Sequence, residues 1–361
     1  MIISQREKEL GIVSCWLVVI LLPLFLFVIP GQAASQSINL KVSSVAGRDM
    51  PVSLANEAWA NEIEKRTNGR VKFEFFWGAS LLKPPEQMKG TGAGLVDVSL
   101  GMPAYDPSAT PLATIGDLGY ITSKVDAAAR ALNDLYEMLP YFKNELEQYN
   151  VKVLFFIPFP PTILGSYSPI RSLEDLKGKK IRALGLLNHV INRLGGVPVG
   201  IPLPEVYEAL SRKVVDGLTS MPLSSVPGYK FHEVAKYYLD FGYGSYAIQY
   251  VCINRDKWES LPVDIREIIE EVSARGIDIY VDALVKSEQE YIEPLKTAGC
   301  SFYTLPYEEV SRWKNTVVPA IWNDWIEKHK KDGPSKEFFD LFVERVRYHE
   351  PRSTYTQSFP R

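Results

Sequence analysis

Apolar and polar residues first alternate and then recur at helical spacing in the part of the chain that follows residue 37. Apolar side chains alternate with polar ones in residues 38–45 and again in residues 71–75, which is typical of half-buried strands. Between these segments, Ala55, Trp59 and Ile63 fall about one helical turn apart. Because a strand, a helix and a strand follow one another, we expect a β-α-β unit with parallel strands.

This succession of strand-like and helix-like segments continues as far as residue 347. Further strands are predicted at residues 96–100, 151–156, 180–183 and 245–254, and one more begins at Val214. Further helices are predicted at residues 85–90, 124–138, 172–177, 187–194, 263–297 and 307–347, with another near Pro204 and a kink at Pro319. A helix over residues 263–297 would be roughly 50 Å long, so we expect it to extend beyond one small lobe.

Length and composition indicate an ordinary globular protein with more than one core. The chain has 361 residues, of which 46% are hydrophobic and 23% are charged. This length is long for a single core, so two lobes are expected. The formal net charge is −3, and no basic stripe is present, which argues against nucleic acid as a partner.

The first 34 residues have the pattern of a secretory signal peptide. Arg6 and Lys8 precede an apolar run over residues 12–29, and the small residues Gly31 and Ala33 fit the cleavage rule. An uncleaved membrane anchor is the alternative, because the run approaches spanning length. We favour cleavage after residues 1–34 and expect an exported, periplasmic protein. After export, Cys252 and Cys300 would remain, and we expect two unpaired, buried thiols, although a disulfide bond stays open.

Sequence signatures of catalysis and of metal binding do not occur. The four histidines are scattered along the chain without the spacing of metal ligands. Residues 90–94 are rich in glycine, but they precede a strand where a dinucleotide-binding motif would follow one, so we interpret them as a turn. We therefore expect a protein that is not an enzyme and has no cofactor, while a metal ion that bridges ligand and protein stays open.

Arg182 is the strongest candidate for a binding residue. It ends the predicted strand at residues 180–183, and two helix starts follow, near Leu187 and Pro204. A guanidinium group is always charged and matches a carboxylate with a planar fork of donors. Ligands bind at the carboxyl ends of strands in open α/β sheets, and helix N-termini favour anions. The alternative is an ordinary surface residue, like Lys179 and Lys180 beside it.

The segments around Arg182 resemble the solute-binding subunits of TRAP transporters (tripartite ATP-independent periplasmic transporters) of the DctP type. The resemblance rests on four segments, which are LEDLKGKKIR at residues 173–182, GGVPV at 195–199, PEVYEAL at 204–210 and VVDG at 214–217. Weaker similarity extends it over nearly the whole chain after the predicted signal peptide.

The resemblance implies an α/β fold, namely that of a two-lobed periplasmic binding protein (type II-like) with a long helix spanning both lobes. The expected boundaries are residues 35–165 and 246–285 for the first lobe, 166–245 and 286–350 for the second, and 351–361 for a loose tail. It also implies that the protein captures a small organic acid and delivers it to the small and large integral membrane subunits of a TRAP transporter.

The same resemblance assigns a role to Arg182 and raises further candidates. In the family, the arginine of the Lys-Ile-Arg run binds the ligand carboxylate, which carries onto Arg182. Family members often have an asparagine after the Asp-Gly pair, and that position corresponds to Ser220 or Met221 here. Some also have a phenylalanine, and its position falls near Leu203. These departures from the family pattern argue against sialic acid or a small dicarboxylate. A monocarboxylate with an apolar or aromatic body is the better expectation.

Five aromatic residues could line the cleft because of where they fall after predicted strands or at crossovers. They are Trp77, Tyr105, Phe159, Tyr243 and Tyr246. For each of them, packing in a core is the alternative. Two other functions also stay open. One is a binding protein for an ATP-driven importer, and the other is an exported enzyme on the same scaffold.

Overall fold

The computed structural model describes residues 37–356, 359 and 360, so the predicted signal peptide lies outside the described residues. The strands, in chain order, are β1 (Ile38–Ser44), β2 (Val71–Phe76), β3 (Val98–Gly101), β4 (Val151–Pro158), β5 (Leu164–Ser166), β6 (Lys180–Arg182), β7 (Val197–Val199), β8 (Gly217–Leu218), β9 (Tyr237–Asp240), β10 (Ile248–Asn254) and β11 (Ser301–Thr304). The α-helices are α1 (Pro51–Arg66), α2 (Gln87–Gly92), α3 (Val125–Met138), α4 (Pro140–Glu147), α5 (Leu173–Leu176), α6 (Leu186–Arg193), α7 (Val206–Ser211), α8 (Arg255–Ser260), α9 (Val263–Ala274), α10 (Gly276–Thr297), α11 (Tyr307–Lys328) and α12 (Ser335–His349).

The strands form two mixed sheets, one in each lobe. The first sheet has the order β2-β1-β3-β10-β4, and the second has the order β11-β9-β5-β8-β6-β7. The predicted β-α-β unit is confirmed, because β1 and β2 are parallel and α1 connects them. β10 lies between β3 and β4 and is antiparallel to both. The chain therefore leaves the first sheet after β4 and returns to it with β10.

A shared cluster of buried apolar side chains joins the two sheets. One buried cluster contains Val42 and Leu100 of the first sheet as well as Ile181 and Leu239 of the second. A second cluster, which includes Leu218, lies on the remaining side of the second sheet. Within the described residues, no helix is both long enough and apolar enough to cross a membrane.

The predicted helix over residues 263–297 is two helices, which corrects the expectation of one uninterrupted segment. α9 ends at Ala274, and α10 begins at Gly276. A Cβ atom on Gly276 would lie 2.5 Å from the ring of Phe155, so the absence of a side chain allows close approach to β4. α10 packs on α1 and β4 of the first lobe, and its Leu295 joins the apolar cluster of the second lobe. The long helix that reaches both lobes is thus α10.

Three other expectations need correction. The helix predicted over residues 307–347 is interrupted after Lys328, and α12 packs on α3, so that this part of residues 286–350 lies with the first lobe. The reason is aromatic packing, with the rings of Phe338 and Phe142 4.8 Å apart. The strand expected at Val214 begins at Gly217, because Lys213 has a positive φ and Val214 is exposed.

Residues 353–355 of the C-terminal segment are packed against the protein, in contrast to the loose tail expected over residues 351–361. Tyr355 is only 1% exposed, and its hydroxyl donates a hydrogen bond to Glu288 of α10 at 2.9 Å. Ser353 and Thr354 both donate to the carboxylate of Asp126 on α3.

Cys252 and Cys300 are unpaired, as expected, but only Cys252 is fully buried.

Candidate ligand-binding site

Arg182 lies at the carboxyl end of β6, in the interior of the second sheet. β6 is parallel to both of its neighbours, with Arg182 opposite Leu218 of β8 and Val199 of β7. The side chain is only 1% exposed. Its Nε atom donates to the carbonyl of Ile201 and its Nη1 atom to that of Thr219, each at 3.0 Å. The loops that follow β7 and β8 therefore orient the guanidinium group.

The charge of Arg182 is buried without an anionic partner. No carboxylate in the described part of the chain forms an ion pair with it, and no acceptor there binds its Nη2 atom. Burial lowers the pKa of the guanidinium group, and the phenol groups of Tyr105, Tyr246 and Tyr229 oppose this shift. An arginine nevertheless stays protonated. A buried, unpaired cation is costly, so this location favours the binding of an anion.

A cavity of about 120 Å³ lies between the lobes beside these tyrosines. Its walls are mostly apolar or aromatic and come from both lobes. They are formed by Met102, Ala104, Tyr105, Asp117, Leu184, Gly185, Leu186, Leu187, Ser220, Tyr246 and Ala247. Tyr105 and Tyr246 line the cavity and also interact electrostatically with Arg182, so Arg182 lies close to the cavity.

Two tight turns shape the second lobe's wall of the cavity. Gly185 precedes α6 with φ 56° and ψ −136°, a conformation that an L side chain rarely adopts. Ser220, which follows β8, has φ 63°, and its Oγ atom accepts a hydrogen bond from the amide of Leu184 at 2.9 Å. The two turns are thereby linked to each other. They place the N-terminus of α6 beside the cavity.

Among the described residues that line the cavity, Asp117 is the only one with a carboxyl group. It ends a 3₁₀ helix, Leu112–Asp117, in the first lobe. Its backbone carbonyl accepts a hydrogen bond from the hydroxyl of Tyr243 at 2.8 Å, which holds the segment in place. The residue is 6% exposed, and burial raises the pKa of its carboxyl group to about 8. At neutral pH this group is therefore mainly protonated.

The structure places some of the predicted site residues on the cavity wall and others elsewhere. Tyr105, Tyr246 and Ser220 line the cavity. Phe159 is one layer behind, with its ring 6.1 Å from that of Tyr246. Tyr243 lies beneath the wall, where it supports Asp117.

Three predicted residues lie away from the cavity. Met221 is buried in the second apolar cluster, and Leu203 packs against the same cluster. Trp77 is half-buried and stacks on Phe75, with the two rings 4.5 Å apart. In this structure these side chains have packing roles.

Sequence reasoning missed Asp117 and Gly185. Asp117 is a single acidic residue between uncharged residues 112–116 and Leu118, and such an isolated charge is a sign of a buried polar group. Gly185 stands between a predicted strand and a predicted helix, where a glycine indicates a special backbone conformation. Neither signal reveals that the two residues face each other, since they belong to different lobes.

The fold and this cavity define a two-lobed α/β binding protein. The chain belongs to the DctP family, bacterial extracellular solute-binding protein family 7, whose model matches residues 42–328. The C4-dicarboxylate-binding periplasmic protein DctP of Rhodobacter capsulatus is 29% identical over 295 residues, which are 80% of this chain and 86% of that relative.

Crystal structures of TRAP solute-binding proteins have the same fold. One, from Rhodoferax ferrireducens in complex with copurified benzoate, has a TM-score of 0.78 and 21% identity, and it covers 88% of this chain and 100% of its own. Another comes from a marine metagenome, is specific for aromatic acid ligands and contains 3-hydroxybenzoate. Its TM-score is 0.79 and its identity 22%, with 87% of this chain and 99% of its own covered.

Proposed function

We propose that this protein is a periplasmic solute-binding protein that captures an organic acid through Arg182 and delivers it to the small and large membrane subunits of a TRAP transporter. The observation that carries the proposal is the buried guanidinium group with no carboxylate partner in the described structure, next to a cavity between two lobes. A ligand carboxylate would supply the missing anion and accept from Nη2.

The cavity walls favour a monocarboxylate with an apolar or aromatic body. Leucine, methionine, alanine and tyrosine side chains predominate, and no lysine or arginine belongs to the described lining. A second carboxylate would therefore lack a cationic partner and would approach Asp117 instead. The benzoate and 3-hydroxybenzoate bound to the two structural relatives are acids of this shape. The C4-dicarboxylate of the Rhodobacter relative is a less suitable ligand for this cavity.

The binding cycle is conformational and involves no covalent chemistry. In an open form the acid docks on Arg182 of the second lobe, and closure brings Tyr105 and Asp117 of the first lobe against its body. The ligand favours closure because it contacts both lobes only in the closed form. Closure without a ligand would enclose an unpaired charge, which disfavours that state.

The first experiment is a thermal-shift screen over mono- and dicarboxylates, followed by calorimetry on the acids that bind. Arg182→Met should weaken binding of the best acid by about 100-fold, because a buried charge pair is lost. Arg212→Met, which changes an exposed arginine of the same lobe, is the matched control and should leave the affinity unchanged. Equal affinities of the Arg182→Met variant and the unchanged protein would refute the proposal.

Two further measurements separate the remaining alternatives. Uptake into vesicles that contain TRAP membrane subunits should require a sodium or proton gradient and no ATP, whereas an ATP-driven importer would respond to ATP. Incubation of the protein with the acids that bind should return them chemically unchanged. Formation of a product would support the enzyme alternative.

A further inference from the structure

Asp117 differs from the other buried acidic residues of the described structure in having no hydrogen-bond partner for its carboxyl group. The carboxylate of Glu145 accepts from the amides of Leu112 and Ala113, and that of Asp126 accepts from Ser353 and Thr354. The carboxylate of Glu288 accepts from Tyr355. The carboxyl group of Asp117 instead faces the cavity. Buried polar groups are normally paired, so an exception on a cavity wall suggests that a ligand supplies the partner.

Asp117 lies on the first lobe's wall of the cavity and faces the second lobe. A Cβ atom added to Gly185 would lie 3.8 Å from Oδ2 of Asp117, so the carboxyl group directly faces this turn. Gly185 is three residues beyond Arg182, and Tyr246 interacts electrostatically with both Arg182 and Asp117. Tyr246 thus lies close to both groups, which belong to opposite lobes.

Arg182 and Asp117 nevertheless form no ion pair in the described structure. Burial alone accounts for the raised pKa of Asp117, with no opposing effect of the guanidinium group. The two groups therefore do not neutralise each other. A protonated carboxyl group offers one O–H donor together with acceptor oxygens, and a hydroxyl group is its natural neutral partner.

We propose that Asp117 is a specificity-determining residue that forms a hydrogen bond with a hydroxyl group on the body of the acid held by Arg182. The ligand class is therefore a hydroxylated monocarboxylate with an apolar or aromatic body. This inference rests on the proposed function, because it requires that Arg182 anchors a carboxylate. It adds a second point of recognition, contributed by the opposite lobe.

The test compares affinities for benzoate and for its 3-hydroxy and 4-hydroxy derivatives, measured by calorimetry at pH 6.5. The unchanged protein should bind at least one hydroxylated probe about 10-fold more tightly than benzoate, the scale of one hydrogen bond in a buried site. In Asp117→Leu this ratio should fall to about 1, because a side chain of similar size lacks polar atoms. Asp117→Asn keeps a donor and an acceptor and should retain most of the preference.

Glu145→Gln is the matched control, since it changes a buried carboxyl group away from the cavity and should leave the ratio unaltered. An unaltered ratio in Asp117→Leu would overturn the inference, as would a preference for 4-(aminomethyl)benzoate, which would indicate an ionised Asp117 that binds a cation. These outcomes leave the proposed function standing as long as Arg182→Met weakens benzoate binding. If none of the probes and none of the screened carboxylates binds to the unchanged protein, both proposals fail.

Discussion

The two lobes place groups of different kinds at or beside the same cavity. The second lobe holds Arg182 beside the cavity, where two backbone carbonyls bind its guanidinium group at the end of an interior strand. The first lobe contributes Asp117, whose backbone is held by Tyr243 but whose carboxyl group has no partner in the described structure. One lobe thus presents a preorganised charge, and the other presents a neutral polar group. The difference suggests that affinity and selectivity are located in different lobes.

The largest expected effect concerns the geometry of the charged group in the second lobe. Arg182→Lys keeps a positive charge but cannot donate at the same time to Ile201, to Thr219 and to both oxygens of a ligand carboxylate. We expect affinity for the best acid to fall by about 30-fold, which is less than in Arg182→Met. Calorimetry on both variants measures this difference. Equal losses in the two variants would mean that the fork geometry has no role.

A second prediction concerns the first lobe and pH. The carboxyl group of Asp117 has a pKa of about 8 in the folded protein and an ordinary value of 3.8 when unfolded. Between these values the folded state binds more protons than the unfolded state, so this group makes stability fall as pH rises. Asp117→Asn removes the effect.

The measurement is urea unfolding at several pH values between 4 and 9. The stability of Asp117→Asn relative to the unchanged protein should increase from pH 4 to pH 8 and then stay level. A difference that does not change with pH would show that Asp117 is not held in its protonated form. Glu145 also has a pKa raised to about 8 by burial, so Glu145→Gln provides a comparison at a carboxyl group with backbone partners.

A third prediction concerns Gly185, at the place where the two lobes face each other. Gly185→Ala introduces a side chain at a positive φ and directs it at Asp117, whereas Gly178→Ala introduces one at φ 73° into open space. Both variants should lose about 1–3 kcal/mol of unfolding free energy through backbone strain. Only Gly185→Ala should also lose ligand affinity. A similar loss of affinity in both variants would indicate a general effect on the second lobe.

The smallest expected effect concerns the C-terminal segment, which connects α3 and α10. Tyr355→Phe removes the hydrogen bond to Glu288 but keeps the packed ring. We expect a loss of about 1 kcal/mol in unfolding free energy, as for a single buried hydrogen bond, without a change in the affinity for the ligand. Urea unfolding and calorimetry measure the two quantities. A change in affinity would show that the segment also influences closure of the lobes.

Much of the local structure could be predicted from periodicity. Alternation identified β1 and β2, helical spacing identified α1, and the segments predicted at residues 124–138, 151–156 and 187–194 match α3, β4 and α6 within a few residues. The break at Arg275 could not be predicted, because the close approach of the next residue, Gly276, to Phe155 joins two residues far apart in sequence. The same holds for α12, whose aromatic face suits either lobe until its packing partner is known.

Residues close together along the chain were enough to identify the family, the order of the elements and the candidate arginine at a strand end. Contacts between distant segments were needed to show that Arg182 is buried without a carboxylate partner among the described residues, and that Asp117 and Gly185 face each other across a cavity. The physical reason is that burial and pairing depend on which distant segments meet. Periodicity along a chain carries no information about that meeting.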